Sequence, residues 1–165
     1  MAARLTLPQY RNVILLIGSN IDPISNIKRA IEEISAIIQI NKQSSLWETR
    51  PIGTDGNNFF NLALCISTSL DFDQLKFEIL RNIEIRLGRV RISDKYAPRT
   101  IDIDIILDGN MIVDNNIWNY AYIAVPVAEI IPGLIHPETN QPLKEFAAML
   151  IKNSWIKKHP AKKPL

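Results

Sequence analysis

The sequence predicts an α+β fold of ferredoxin-like type, β-α-β-β-α-β, with one antiparallel sheet carrying two helices on a face. Three observations carry this. A short apolar run at 12–18 is followed by a segment of helical periodicity. Two strand-like segments at 42–49 and 59–68 precede a second helical segment. Finally, Ile101, Asp102, Ile103, Asp104 and Ile105 alternate with period two.

The first strand, 12–18, is almost wholly apolar and closes on Gly18, Ser19 and Asn20, the form of a central strand buried on both faces. Asp22 offers an N-cap with Pro23 at the first helical position, and Ile24, Ile27, Ile31, Ile34 and Ile38 recur every three or four residues. The strands at 42–49 and 59–68 flank a loop with Pro51, Gly53 and Gly56 that is longer than a hairpin needs. Asp71 and Gln74 have capping-box spacing, and Phe72, Leu75, Ile79, Ile83 and Leu87 carry the second helix to Gly88. An arginine-bearing loop then leads into the last strand, and the β-α-β-β-α-β core ends near Gly109. Beyond it, short helices are expected at 126–131 and 142–151, connected through Pro132 and Pro137. Residues 1–165 thus form a single domain with its core at about 12–150. The basic, proline-containing stretch 152–165 reads as a solvated, disordered tail.

Composition narrows the function classes. A charged fraction of 22% and a net charge of +2 call for neither a nucleic-acid nor a membrane partner, and no obligate protein partner is indicated. Cys65 is the only cysteine, so no intrachain disulfide forms and a reducing compartment suffices. The apolar residues at 13–17 are too few for a signal core, and no run approaches the roughly 20 residues of a bilayer span. The expected location is the cytoplasm.

The chemistry concentrates at 89–104. Arg89, Arg91 and Arg99 lie on a loop, and Asp102 and Asp104 follow on one strand face with side chains roughly 7 Å apart. Hard carboxylate ligands beside guanidinium forks suit a magnesium-bound polyphosphate. Carboxylates at i and i+2 are also what a solvated strand face looks like. Glu84 stands on the polar side of the second helix, as a site acid or a surface acid, and Tyr96 either stacks on a base or anchors its loop. Trp47, Thr49, Ile52, Phe59 and Asn61 bracket the other long loop. An aromatic ring and an amide there suit a flat heterocycle, though aromatics at strand ends also serve as core. His136 and His159 do not make a zinc site with one cysteine, and no Walker loop is present.

Ile-Gly-Ser-Asn at 17–20, Glu-Thr-Arg-Pro-Ile-Gly at 48–53, Phe-Phe-Asn at 59–61 and Gly-Arg-Val-Arg…Pro-Arg-Thr-Ile-Asp-Ile-Asp at 88–104 resemble the 6-hydroxymethyl-7,8-dihydropterin pyrophosphokinase family. The resemblance spans about residues 12–150. It implies transfer of pyrophosphate from ATP to the hydroxymethyl group of a reduced pterin, with release of AMP, in folate biosynthesis. It further implies that Asp102 and Asp104 hold two Mg2+ ions and that Arg89 and Arg99 are catalytic. Glu84, Arg91, Tyr96 and Ile105 would bind ATP. Thr49, Ile52, Phe59, Asn61 and Tyr122 would bind the pterin, between the rings of Phe59 and Tyr122. The loops 50–58 and 89–99 would close as lids, with Gly53, Gly56 and Gly88 as hinges.

The chain departs from the family pattern at 111–120, which holds neither the His nor the Arg expected there; Tyr120 stands in the place of the arginine. Tyr96 replaces a tryptophan, Phe59 a tyrosine and Arg50 a proline. A divergent pterin- or nucleotide-binding paralogue with weak or no turnover, or with another pterin substrate, is therefore the alternative reading. A ferredoxin-like RNA-binding domain would share the topology, but no RNP1 motif is present.

Overall fold

The computed structural model describes residues 8–53, 55–94 and 97–160. β1 (Arg11–Ser19) is the central strand, paired antiparallel with β4 (Phe59–Thr68) on one side and β5 (Asp102–Asp108) on the other. β2 (Gln39–Gln43) and β3 (Trp47–Thr49) both pair with β4, and β6 (Met111–Ile112) pairs with β5. The order β5-β1-β4-β2/β3 is that of the predicted ferredoxin-like core.

Where the sequence suggests one strand at 42–49, there are two. Ser44 interrupts it: the Ser44 hydroxyl accepts the Ala63 N–H at 2.8 Å in place of a backbone carbonyl. Helix α1 (Pro23–Ser35) stops short of Ile38, although Ile38 still packs in the core. Asp22 does not cap it with its side chain; the Asp22 backbone is left-handed, φ 41°, and its carbonyl accepts the Asn26 N–H. At the second helix the capping box forms reciprocally. The Asp71 carboxylate accepts the Gln74 N–H at 2.8 Å, and the Gln74 side-chain oxygen accepts the Asp71 N–H at 3.1 Å. The helix starts with a wide π-helical stretch, Gln74–Leu80, before α2 (Arg81–Arg86). That wider turn brings Leu80, five residues after Leu75, into the core beside it.

The folded body continues past Gly109. A 3-10 turn (Asn115–Trp118), α3 (Ala121–Ile130) and α4 (Leu143–Asn153) cover the other sheet face, and Ile117, Trp118, Ile123, Val127 and Leu143 build a second core there. α3 begins five residues before the expected Pro126, which instead sits inside the helix. The apolar sequence around it is buried nearly all round, and packing offsets the hydrogen bond that proline lacks. Nor is the stretch from Lys152 a solvated tail throughout. Lys152 and Asn153 finish α4, and β7 (Ile156–Lys158) adds a strand to β3. The molecule is thus three-layered, with α1 and α2 on one face and α3 and α4 on the other. No helix among the described residues is long and apolar enough to cross a membrane.

Candidate active site

The period-two reading of β5 holds. Ile101, Ile103 and Ile105 are buried in the core beneath α1 and α2, while Asp102 and Asp104 open on the other face into a cavity of about 360 Å³. Tyr120 and Tyr122, at the start of α3, form part of its wall. Thr49, Ile52, Phe59, Asn61, Arg99 and Tyr122 line it with the two aspartates, so eight of the predicted residues converge. Leu16, Gly18, Arg50, Pro51, Asn116 and Tyr120 line it too; none was among the predicted site residues, although Arg50 and Tyr120 were marked as departures from the family pattern.

Asp102 is the electrostatic hub. Arg99 Nη1 donates to Asp102 Oδ2, and Arg89 Nη2 lies 3.5 Å from Oδ1. Arg89 is aimed by the helix end: Gly88, φ 84°, lets its own N–H reach the Ile85 carbonyl and the Arg89 N–H reach that of Glu84, which is a Schellman cap. Arg89 Nε and Thr100 Oγ1 are buried without a hydrogen-bond partner among the described residues. Such atoms are costly unless a ligand satisfies them.

Asp104 accepts no hydrogen bond among the described residues, and its carboxyl is held up to about 7. Loss of hydration in the cleft is the first cause, followed by the charges of Asp102, Glu84 and Asp114. It is therefore poised to gain from a cation. Burial likewise pushes the Tyr122 phenol up to about 12, with Asp114 and Asp104 contributing, so Tyr122 is a neutral ring and hydrogen-bond donor. Tyr120 and Tyr122 sit side by side, ring centroids 5.5 Å apart.

Glu84 is a buried acid with a double hold. One carboxylate oxygen accepts the Ile103 N–H at 2.8 Å and the other accepts Arg91 Nη2 at 2.7 Å, tying the arginine loop to the aspartate strand. Burial raises its pKa, opposed by these two bonds. Glu84→Ala strands the Ile103 N–H, and the expected loss is about 2 kcal/mol, lowering the melting temperature by about 4–8 °C. Thermal denaturation checks it; an unchanged midpoint would mean that this tie contributes nothing.

On the neighbouring strands β3 and β4, the Asn61 amide donates to Thr49 Oγ1 at 3.0 Å, fixing both groups. β1 packs closely there: a Cβ on Gly18 would stand 3.0 Å from Asn61 Oδ1, so the amide would have to give by a few tenths of an ångström. The neighbouring Ser19 and Asn20 hold the exit of the arginine loop: Ser19 Oγ donates to the Thr100 carbonyl at 2.6 Å, and Asn20 Oδ1 accepts the Arg99 N–H at 2.7 Å. Their part escaped the sequence reading, although the Gly-Ser-Asn string was its signal. β5 carries a bulge at Ile106, whose carbonyl accepts the N–H groups of Val113 and Asp114 and so ties the following segment back to the strand. The Ile105 side chain faces away from the cavity, in the first core, and Tyr96 lies outside the described residues.

The protein sequence matches the family model of 7,8-dihydro-6-hydroxymethylpterin-pyrophosphokinase over residues 14–132. It is 35% identical over 144 residues to the 2-amino-4-hydroxy-6-hydroxymethyldihydropteridine pyrophosphokinase of Aquifex aeolicus, covering 81% of this chain and 89% of that protein. The protein of the same name from Haemophilus influenzae is 30% identical over 158 residues, covering 88% of this chain and 97% of that one. Among solved structures, an HPPK-DHPS of Plasmodium falciparum with pterin and p-hydrobenzoate superposes with a TM-score of 0.72 at 11% identity, which speaks to fold alone. The match covers 92% of this chain but only 48% of that one, so this chain spans about half of that two-part protein.

Proposed function

Since the chain belongs to the 7,8-dihydro-6-hydroxymethylpterin-pyrophosphokinase family, we infer that it is a diphosphotransferase of folate biosynthesis, moving a pyrophosphoryl group from ATP to 6-hydroxymethyl-7,8-dihydropterin with release of AMP. The observation that carries this reading is one cavity lined both by Asp102, Asp104 and Arg99 and by Thr49, Asn61, Phe59 and Tyr122. A flat heterocycle between the two rings, read along its polar edge by Thr49 and Asn61, would present its hydroxymethyl oxygen toward Asp102 and Asp104.

The donor set fits Mg2+. No cluster of three or more metal-ligating side chains exists among the described residues, so Asp102 and Asp104 supply only part of a coordination sphere. That is the habit of magnesium sites in which phosphate oxygens and waters complete the shell. Two such ions, when bound, would neutralise polyphosphate charge and orient its oxygens. The protein's own groups do the rest. Arg89 and Arg99, set beside Asp102, stabilise charge spreading over the transferred group, and Arg91 with Glu84 orders the ATP side of the loop. The ATP end lacks the His and Arg that the resemblance expects at 111–120; Tyr120, which lines the cavity, offers a neutral phenol instead. We therefore propose that ATP binds more weakly than in relatives that keep those groups.

Incubation with ATP, Mg2+ and the reduced pterin, with AMP and the pterin diphosphate both quantified, tests the reading. Equal amounts of both products support it. Pterin binding without AMP at saturating ATP would favour a binding paralogue instead.

A further inference from the structure

The C-terminal segment that the sequence marks as a loose tail grips both roots of the loop 50–58. At the first root, Ile156 pairs with Thr49, and the Arg50 guanidinium lies over the Trp155 ring, 5.0 Å from its centroid. At the second root, His159 meets the Phe60 ring edge-on at 5.5 Å, while its backbone N–H donates at 2.8 Å to the carbonyl of Leu46, just before β3. Between these roots the chain carries Pro51 and Ile52 along the cavity wall, and Phe59 adjoins the second root. Arg50 also lines the cavity and has no carboxylate partner among the described residues, so Trp155 is what restrains it.

We propose that Trp155 is a positioning residue for the pterin loop, acting through Arg50 and the β3–β7 pairing, and that this C-terminal strap sets affinity for the heterocyclic substrate. The inference rests on the pterin reading of the cavity. A cation–π contact at a partly exposed site holds a guanidinium to a small but definite degree. Because it acts on the loop rather than on Asp102 or the arginines, its effect is confined to the pterin end.

Steady-state kinetics of the full chain decides. Trp155→Ala is expected to raise the pterin KM about fivefold, leaving kcat and the ATP KM within about twofold, as the loss of one such contact implies. Trp155→Phe, which keeps an aromatic face, should recover most of the affinity. Combining Trp155→Ala with Arg50→Ala should be no worse than the worse single variant, because both remove the Arg50–Trp155 contact, Trp155→Ala releasing the Lys157 ammonium from the ring as well. Hydrogen exchange of the amides at 50–58, which needs no ligand, should be faster in Trp155→Ala and near parental in Trp155→Phe. An unchanged pterin KM with unchanged exchange overturns the strap, and so does a general fall in kcat and in affinity for both substrates. Absence of turnover by the parent protein would count against the pyrophosphokinase reading alone, and the exchange comparison would still decide the strap.

Discussion

Asp104→Asn is expected to lower pyrophosphoryl transfer by about three orders of magnitude or more, while making the ligand-free protein more stable than the parent. The loss follows from removing one of two carboxylates available to a metal-bound polyphosphate, for which the cavity offers no substitute acid. The gain follows from what the carboxylate costs in the folded state. Its pKa is raised from 3.8 to about 7, so folded protein holds a proton that unfolded protein releases. Stability contributed by this group is therefore full below about pH 4 and falls as pH rises toward 7. Asparagine removes that slope. The side chain opens to solvent within the cavity, and screening reduces the nominal effect, so the gain is put at about 1 kcal/mol, or about 2–4 °C. Melting curves of parent and variant at pH 4 and pH 7, without Mg2+, measure it: the curves should nearly coincide at pH 4 and separate at pH 7. A variant less stable than the parent at pH 7 would show that Asp104 serves the fold rather than the ligand. Such an exchange of stability for function is what a functional acid in a cleft produces.

Legibility from sequence followed the range of the interactions. The alternation of β5, the capping box at Asp71 and Gln74, and the apolar run of β1 are local patterns, and each appears in the structure where local rules place it. Asp102 and Asp104 were legible for the same reason, since period two alone puts them on one face. β7 was not, because three residues with two lysines carry no strand signal of their own; their conformation comes from the unpaired edge of β3. The break at Ser44 depends on its meeting Ala63 across the sheet, and the wide turn in the second helix depends on what Leu80 can reach. Asn116 and Tyr120 line the cavity from a segment that follows β6, across the sheet edge from the strands that carry its other walls. Non-local geometry of that kind leaves no trace in spacing. The Gly-Ser-Asn string at the end of β1 is an intermediate case: it closes a strand as expected, but its larger work is on residues about eighty positions away.

That work sets the second large effect. Arg99→Ala is expected to reduce kcat by about 100- to 1,000-fold with little change in the pterin KM, since its guanidinium stands beside Asp102 and is not one of the groups proposed to read the pterin. Lysine at 99 should recover little, because a point charge on a flexible stem does not reproduce a planar fork held against a carboxylate. The position of Arg99 is itself imposed. Its N–H donates to Asn20 Oδ1 at 2.7 Å, its carbonyl accepts the Asn20 N–H at 3.1 Å, and the next carbonyl, of Thr100, accepts from Ser19. Asn20→Ala removes only the first of these bonds and leaves the backbone one, so the loop exit loosens without being released. The expected fall in kcat is about tenfold, a fraction of what losing the guanidinium costs. If Asn20 acts solely by placing Arg99, the double variant should turn over no more slowly than Arg99→Ala, because with the guanidinium gone there is nothing left to place. Multiplicative losses would instead show that Asn20 serves the reaction through a second route, the obvious one being the backbone leading to Thr100, whose buried hydroxyl has no partner among the described residues.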